Sequence, residues 1–212
     1  FTQAGTYRFF ITENQGSQED YRGYTFDDTT WMLIITVEDI DSQLTVNEEE
    51  TMYLRTDEAT GEKVSDDRAV FTNDYQAEPV DYQLQVSKTV TGDDRPSEET
   101  FRFNLTEIPE ENEGAQLPQN TSIEITGSGA SAFDAIHFTK AGTYRFEIRE
   151  ENTEKPGYHY DESTWTVTVE VTDHDSRLEV TDVTYAKNGE AVKDAQMAAF
   201  ENVYDTETAD YT

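Results

Sequence analysis

One thirteen-residue stretch, present twice, limits what this chain can fold into. FTQAGTYRFFITE spans residues 1–13 and FTKAGTYRFEIRE spans residues 138–150, with ten of thirteen positions identical. In the second copy Tyr144, Phe146 and Ile148 alternate with Arg145, Glu147 and Arg149. That is the period-2 pattern of a strand with one buried face. The turn Lys140-Ala141-Gly142 leads into it, and the next position on the apolar face is a carboxylate, Glu150. In the first copy the same position is Glu13. A carboxylate in phase with a buried face costs free energy unless partners or a task compensate it.

The repetition continues beyond the strand. GYTFDDTTW (23–31) matches GYHYDESTW (157–165), and TWMLIITVEDIDSQLTV (30–46) matches TWTVTVEVTDHDSRLEV (164–180). FTNDY (71–75) matches FENVY (200–204), which aligns Asn73 with Asn202, 129 residues apart. That period is too long for a solenoid and suits whole domains in tandem. The second copy has about fifty residues before its repeated strand, beginning near Tyr82, and the first copy has none. The expected organisation is the second half of one domain (1–75), a linker (76–81), a complete domain (82–204) and the start of another linker (205–212). On this reading the chain is a piece of a longer protein.

In the complete domain, strands are expected near 82–90, 100–106, 121–126, 133–138, 143–150, 164–172, 177–186 and 197–204. GDDRPSEE (92–99), PEENEGAQLPQ (109–119), GSGAS (127–131) and TEKPGY (153–158) mark loops, and DAQMAAF (194–200) is a short helix-prone run. The fold class is all-β: tandem immunoglobulin-like β-sandwich domains, the first incomplete.

Composition narrows the functions. With 46 acidic and 15 basic residues the net charge is -31, which repels nucleic acid and anionic membrane surfaces. Such acidity can mark disorder, but 12 Tyr, 11 Phe and 2 Trp in alternating segments argue for folded strands with a solvated outer face. The absence of cysteine rules out disulfides and thiol catalysis. No apolar run reaches the length of a membrane span. His137, His159 and His174 lack zinc spacing. Asp39 with Asp41, and Asp173 with Asp175, offer oxygen ligands for calcium without a complete binding loop, so no metal or cofactor is assigned. The sequons at Asn104 and Asn120 carry no argument.

Two further polar residues extend apolar stripes. Tyr82, Leu84 and Val86 share a face that Lys88 continues, and Phe200 and Tyr204 share a face with Asn202. One reading is a buried Lys–Glu ion pair capped by Asn, an arrangement that often adds little net stability. The other is a reactive set, favoured because Glu13 and Asn73 recur in phase.

Four motifs together resemble the streptococcal pilin isopeptide linkage domain of sortase-assembled Gram-positive surface proteins. They are FTKAGTYRFEIRE ending in Glu150, GYHYDESTWTVTV, VSKTV with Lys88, and FENVY with Asn202. The resemblance covers 82–204 fully and 1–75 in its second half. It implies an intramolecular amide between Lys88 and Asn202 assisted by Glu150, with Glu13 and Asn73 as the counterparts in the incomplete copy. It also implies an extracellular, cell-wall-attached location and a structural stalk or shaft role rather than an enzyme with turnover. Neighbouring domains or subunits of the same surface polymer are the implied partners. An adhesin domain binding a host protein or glycan is the alternative.

Burial suits this chemistry, because it disfavours both the ammonium of Lys88 and the carboxylate of Glu150. A protonated Glu150 is expected to hydrogen-bond the Asn202 carboxamide and polarise its carbon. Phe101, Phe103, Phe146 and Trp165 are the expected dry shell. Lys63, Lys187 and Lys193 are candidate acceptors for linkage between subunits, and no motif singles one out.

Overall fold

The computed structural model describes residues 1–17, 20–56, 61–92, 98–108 and 113–206. They fall into two compact units, Phe1–Tyr75 and Gln76–Thr212. Every regular element among the described residues is a strand. No helix among them is long and apolar enough to cross a membrane.

In the first unit, β1 (Gly5–Ile11), β3 (Trp31–Ile40), β4 (Gln43–Thr56) and β5 (Lys63–Asp66) form one antiparallel sheet in the order β1-β3-β4-β5. A short ladder joins β2 (Tyr24–Thr25) to β6 (Asp74–Tyr75). Trp31 and Val37 are buried. Phe9, on the face expected to point inward, remains 44% exposed.

The second unit contains β7 (Val80–Tyr82), β8 (Gln85–Thr91), β9 (Thr100–Glu107), β10 (Ala115–Gln116), β11 (Ser122–Thr126), β12 (Gly129–Ala132) and β13 (Ile136–Phe138). These are followed by β14 (Gly142–Glu150), β15 (Tyr158–His159), β16 (Thr164–His174), β17 (Arg177–Lys187), β18 (Glu190–Ala191) and β19 (Ala198–Tyr204). One sheet has the order β11-β9-β14-β16-β17-β18, a second β12-β8-β19-β15, and a small third β10-β13-β7. Side chains of the first two sheets meet in one core. The Phe103 ring lies 5.1 Å from that of Phe200, and Leu84, Val86, Phe146, Ile148, Val167 and Val169 are fully buried. Alternation along β14 and β16 produces this directly, since every second residue faces the opposite sheet.

Several expectations are corrected. The helix-prone run 194–200 forms a turn followed by the start of β19, because Ala198 and Phe200 alternate into the core. GSGAS is not wholly a loop, since β12 pairs with β8 there. The strand expected over 82–90 divides into β7 and β8, which belong to different sheets. Residues 76–81, expected as a linker, pack into the second unit. Ala77 is buried, the Glu78 N–H donates to Ser176 O, and Val80 opens β7. Parts of the loops at 92–99 and 109–119, and most of 205–212, lie outside the described residues.

The acidic loops have a conformational explanation. Asp41-Ser42 has φ of 51° and 68°, and Asp175-Ser176 has φ of 51° and 65°. Each pair joins two antiparallel strands with both central residues left-handed, the geometry of a tight hairpin turn that Asp tolerates better than most residues.

Tyr185 is 5% exposed and packs against Trp165, with ring centroids 6.4 Å apart. Burial pushes its hydroxyl up to about 12 from 10.0. The folded state therefore holds this proton more tightly than the unfolded state. The stabilisation is intact below pH 10 and is lost as pH rises towards 12. Denaturant titrations should show wild type losing about 2 kcal/mol more than Tyr185→Phe across that window. Matching alkaline profiles would refute the assignment.

Candidate functional site

β8, β14 and β19 carry the three residues in question. β8 points Val86, Lys88 and Val90 inward, and Lys88 is 2% exposed. β19 runs parallel to β8, placing Phe200 opposite Lys88 and Asn202 opposite Val90. Asn202 has no solvent exposure. Glu150 is the last residue of β14, paired with Phe103 of β9, and so enters from the other sheet. Its side chain is fully shielded, as is that of Lys88.

One carboxylate holds both partners. Lys88 Nζ donates to Glu150 Oε2 at 2.7 Å and to Oε1 at 2.9 Å, while Asn202 Nδ2 donates to Oε1 at 2.7 Å. The far side of the carboxamide is also held, because the backbone N–H of Asp161 donates to Asn202 Oδ1 at 2.8 Å. This differs from the expectation that Glu150 donates to the carboxamide. Glu150 faces the nitrogen, and the oxygen faces the loop after β15.

Burial pulls the Lys88 ammonium below its ordinary range, against the hydrogen bond and charge of Glu150. Burial likewise pushes Glu150 up, against the stabilising contacts of Lys88 and Asn202. Both shifts narrow the gap that ordinarily keeps the proton on the lysine rather than on the carboxyl.

The surroundings are aromatic, but the four residues named from sequence separate. Lys88 Nζ lies 4.8 Å from the centre of the Phe101 ring and 5.9 Å from that of Phe103. Phe146 instead packs against Phe138 farther along β14. Trp165 meets Phe200 at 6.5 Å and lies under Lys187 Nζ at 5.6 Å. Phe101 and Phe103 thus line the amine, Phe146 belongs to the general core, and Trp165 flanks β19.

Asp161 is the residue that sequence reasoning missed. Its Oδ1 accepts the Ser163 N–H at 3.0 Å, and its Oδ2 accepts the Glu201 N–H and Lys187 Nζ, each at 3.1 Å. The available signal was the Asp-x-Ser/Thr turn shared by GYTFDDTTW and GYHYDESTW, which entered the analysis only as a marker of repetition.

The first unit repeats the acceptor side. Asn73 Nδ2 donates to Glu13 Oε1 at 2.7 Å, and the Asp27 N–H donates to Asn73 Oδ1 at 2.8 Å. Glu13 Oε2, the counterpart of the oxygen nearer Lys88, has no hydrogen-bond partner among the described residues.

The remaining candidates lie elsewhere. His137 pairs with Asp81 at 2.7 Å, His159 with Asp205 at 3.4 Å and His174 with Asp175 at 3.4 Å, all at the surface. Among the described residues, no group of three or more His, Asp or Glu stands close enough to hold a metal ion. Lys187 is committed to Asp161 and Trp165, and Lys63 and Lys193 are exposed.

Comparison with known proteins adds a family match. The model described as "FctA: Spy0128-like isopeptide containing domain" matches residues 1–76 and 84–205. No curated protein matches the chain. Among solved structures, the chain is similar to the major pilin T3.2 of Streptococcus pyogenes serotype GAS13637, with 18% identity and a TM-score of 0.27, covering 96% of this chain and 67% of that one. It is also similar to the Streptococcus pyogenes major pilin, with 17% identity and a TM-score of 0.30, covering 96% of this chain and 72% of that one.

Proposed function

The chain belongs to the FctA family of Spy0128-like isopeptide-containing domains, and from that premise we propose that it is a load-bearing shaft segment of a Gram-positive surface protein or pilus. Within its second unit, residues 76–204 are a complete domain that locks itself with an amide between Lys88 and Asn202. Its first unit is the second half of a like domain, with Glu13 and Asn73 in the corresponding roles. The segment is extracellular and attached to the cell wall, and its partners are neighbouring domains or subunits of the same polymer.

The single observation that carries this reading is one shielded carboxylate, Glu150, bonded to both the amine of Lys88 and the carboxamide nitrogen of Asn202. The proton passes from Lys88 to Glu150, leaving a nucleophilic amine. Nζ attacks Cγ of Asn202 and forms the new C–N bond. The bond from Cγ to Nδ2 breaks as Glu150 protonates the departing nitrogen. The new amide nitrogen returns a proton to Glu150, and one ammonia leaves. The product is permanent, so each domain reacts once and nothing turns over.

Intact-mass measurement tests this. The chain should be lighter than its sequence by one ammonia, with the peptides containing Lys88 and Asn202 recovered joined after digestion. An unshifted mass would refute the cross-link. Specific capture of a host protein or glycan by the purified chain would instead favour the adhesin reading.

A further inference from the structure

We infer that the backbone N–H of Asp161 is the oxyanion donor of the cross-linking step, and that the Asp161 carboxylate positions it. This rests on the Lys88–Asn202 reading above. When Nζ adds to Cγ, the carbonyl electron pair moves onto Asn202 Oδ1. The Asp161 N–H already points at that oxygen at 2.8 Å, and the Asn202 that carries it has no solvent exposure. A donor fixed where charge develops costs no reorganisation during reaction.

The same contact decides which way the carboxamide faces. With Oδ1 held by an N–H, Nδ2 must face Glu150, where it lies 2.7 Å from Oε1. A flipped carboxamide would set its NH2 group against the N–H of Asp161, donor against donor. The nitrogen that must leave as ammonia is therefore kept beside the acid that protonates it.

The Asp161 side chain holds this donor through three elements. It accepts the N–H of Ser163 in its own turn, the N–H of Glu201 beside Asn202, and Lys187 of β17. The Glu201 contact couples donor and carboxamide to one stretch of strand. Burial alone would raise the Asp161 carboxyl, but these contacts hold it below its ordinary range, so it remains an ionised anchor.

The first unit carries the same device independently. The Asp27 N–H meets Asn73 Oδ1, Asp27 Oδ2 accepts the N–H of Thr72 beside Asn73 at 2.8 Å, and Oδ1 accepts the N–H of Thr29 at 2.9 Å. It is assembled there although Glu13 Oε2 binds no amine, so it belongs to the acceptor and does not depend on the nucleophile.

The test follows loss of ammonia by mass after a pulse of cell-free synthesis of the full chain. Replacing the Asp161 backbone N–H by an ester oxygen, with the side chain kept, should slow cross-linking by about 10²-fold or more. Asp161→Ala should slow it about tenfold or more, and Asp161→Asn should recover only part of the rate, because its single carbonyl oxygen can accept the N–H of Ser163 or of Glu201 but not both. Wild-type speed in the ester-containing chain overturns the inference, and that chain decides the matter if Asp161→Ala does not fold. As a second measurement, the Asp161 N–H should exchange slowly with solvent in the uncross-linked Glu150→Ala chain, and fast exchange there overturns the inference too. If wild type itself loses no ammonia, the cross-link reading fails; if it does and the ester chain keeps pace, only this inference fails.

Discussion

Glu150→Ala should give a second unit that folds, keeps its full mass and melts far below wild type. The core does not depend on the carboxylate, since Tyr144, Phe146 and Ile148 fill the same face of β14 and stay buried without it. On the proposed mechanism, alanine removes the group that takes the proton from Lys88 and returns it to the leaving nitrogen, so the amine and carboxamide should remain unreacted. In wild type the bond would close a loop of roughly 115 residues, which by chain entropy stabilises by about 5 kcal/mol. For a domain of this size that corresponds to a fall of roughly 15–25 °C in Tm. The variant also leaves Lys88 buried without its partner, a further cost of a few kcal/mol. Combining Lys88→Met with Glu150→Ala separates the two effects, because that chain too lacks the cross-link but buries neither an unpaired amine nor an unpaired carboxylate, and so it should melt above Glu150→Ala. Calorimetry with intact mass on the three chains checks this. A Glu150→Ala chain that still loses ammonia would remove the acid from the mechanism.

Pulling should expose a second large difference. β8 and β19 are neighbouring parallel strands near the two ends of the complete unit. Tension applied through those ends drags them past each other along their length. With Lys88 and Asn202 joined, force passes from β8 to β19 through covalent bonds, and the chain between them carries no load. Single-molecule extension of wild type should therefore release none of the loop at forces that unfold ordinary domains. Glu150→Ala should release about 115 residues in one event, or about 390 Å of contour. A wild-type event of that length would contradict a load-bearing bond.

The local part of this site was legible because a strand sorts its side chains by parity. Tyr144, Phe146, Ile148 and Glu150 share one parity, as do Val86 with Lys88 and Phe200 with Asn202, and all of them point inward. The repeat made the polar members conspicuous, since Glu13 and Asn73 occupy the same phases. Parity is blind to what a side chain meets, which is why Phe146 and Trp165 were expected beside the amine and are found elsewhere. Composition misled at 194–200, where good helix formers enter β19 because Ala198 and Phe200 fill a space the core leaves open. It misled again at 76–81, whose polar character hides Ala77 beneath the second unit.

Strand phase, the internal repeat and the three residue types of the proposed cross-link were written in the order of the amino acids, since each depends on neighbours two positions away or on an internal copy. The meeting of those residues was not. Lys88 and Asn202 come together because the first and last long strands of the unit pair in parallel across more than a hundred residues, and Glu150 joins them from the facing sheet. The direction of the Asn202 carboxamide depends on a backbone N–H at Asp161, a group every residue but proline carries, which becomes distinctive only where the fold aims it.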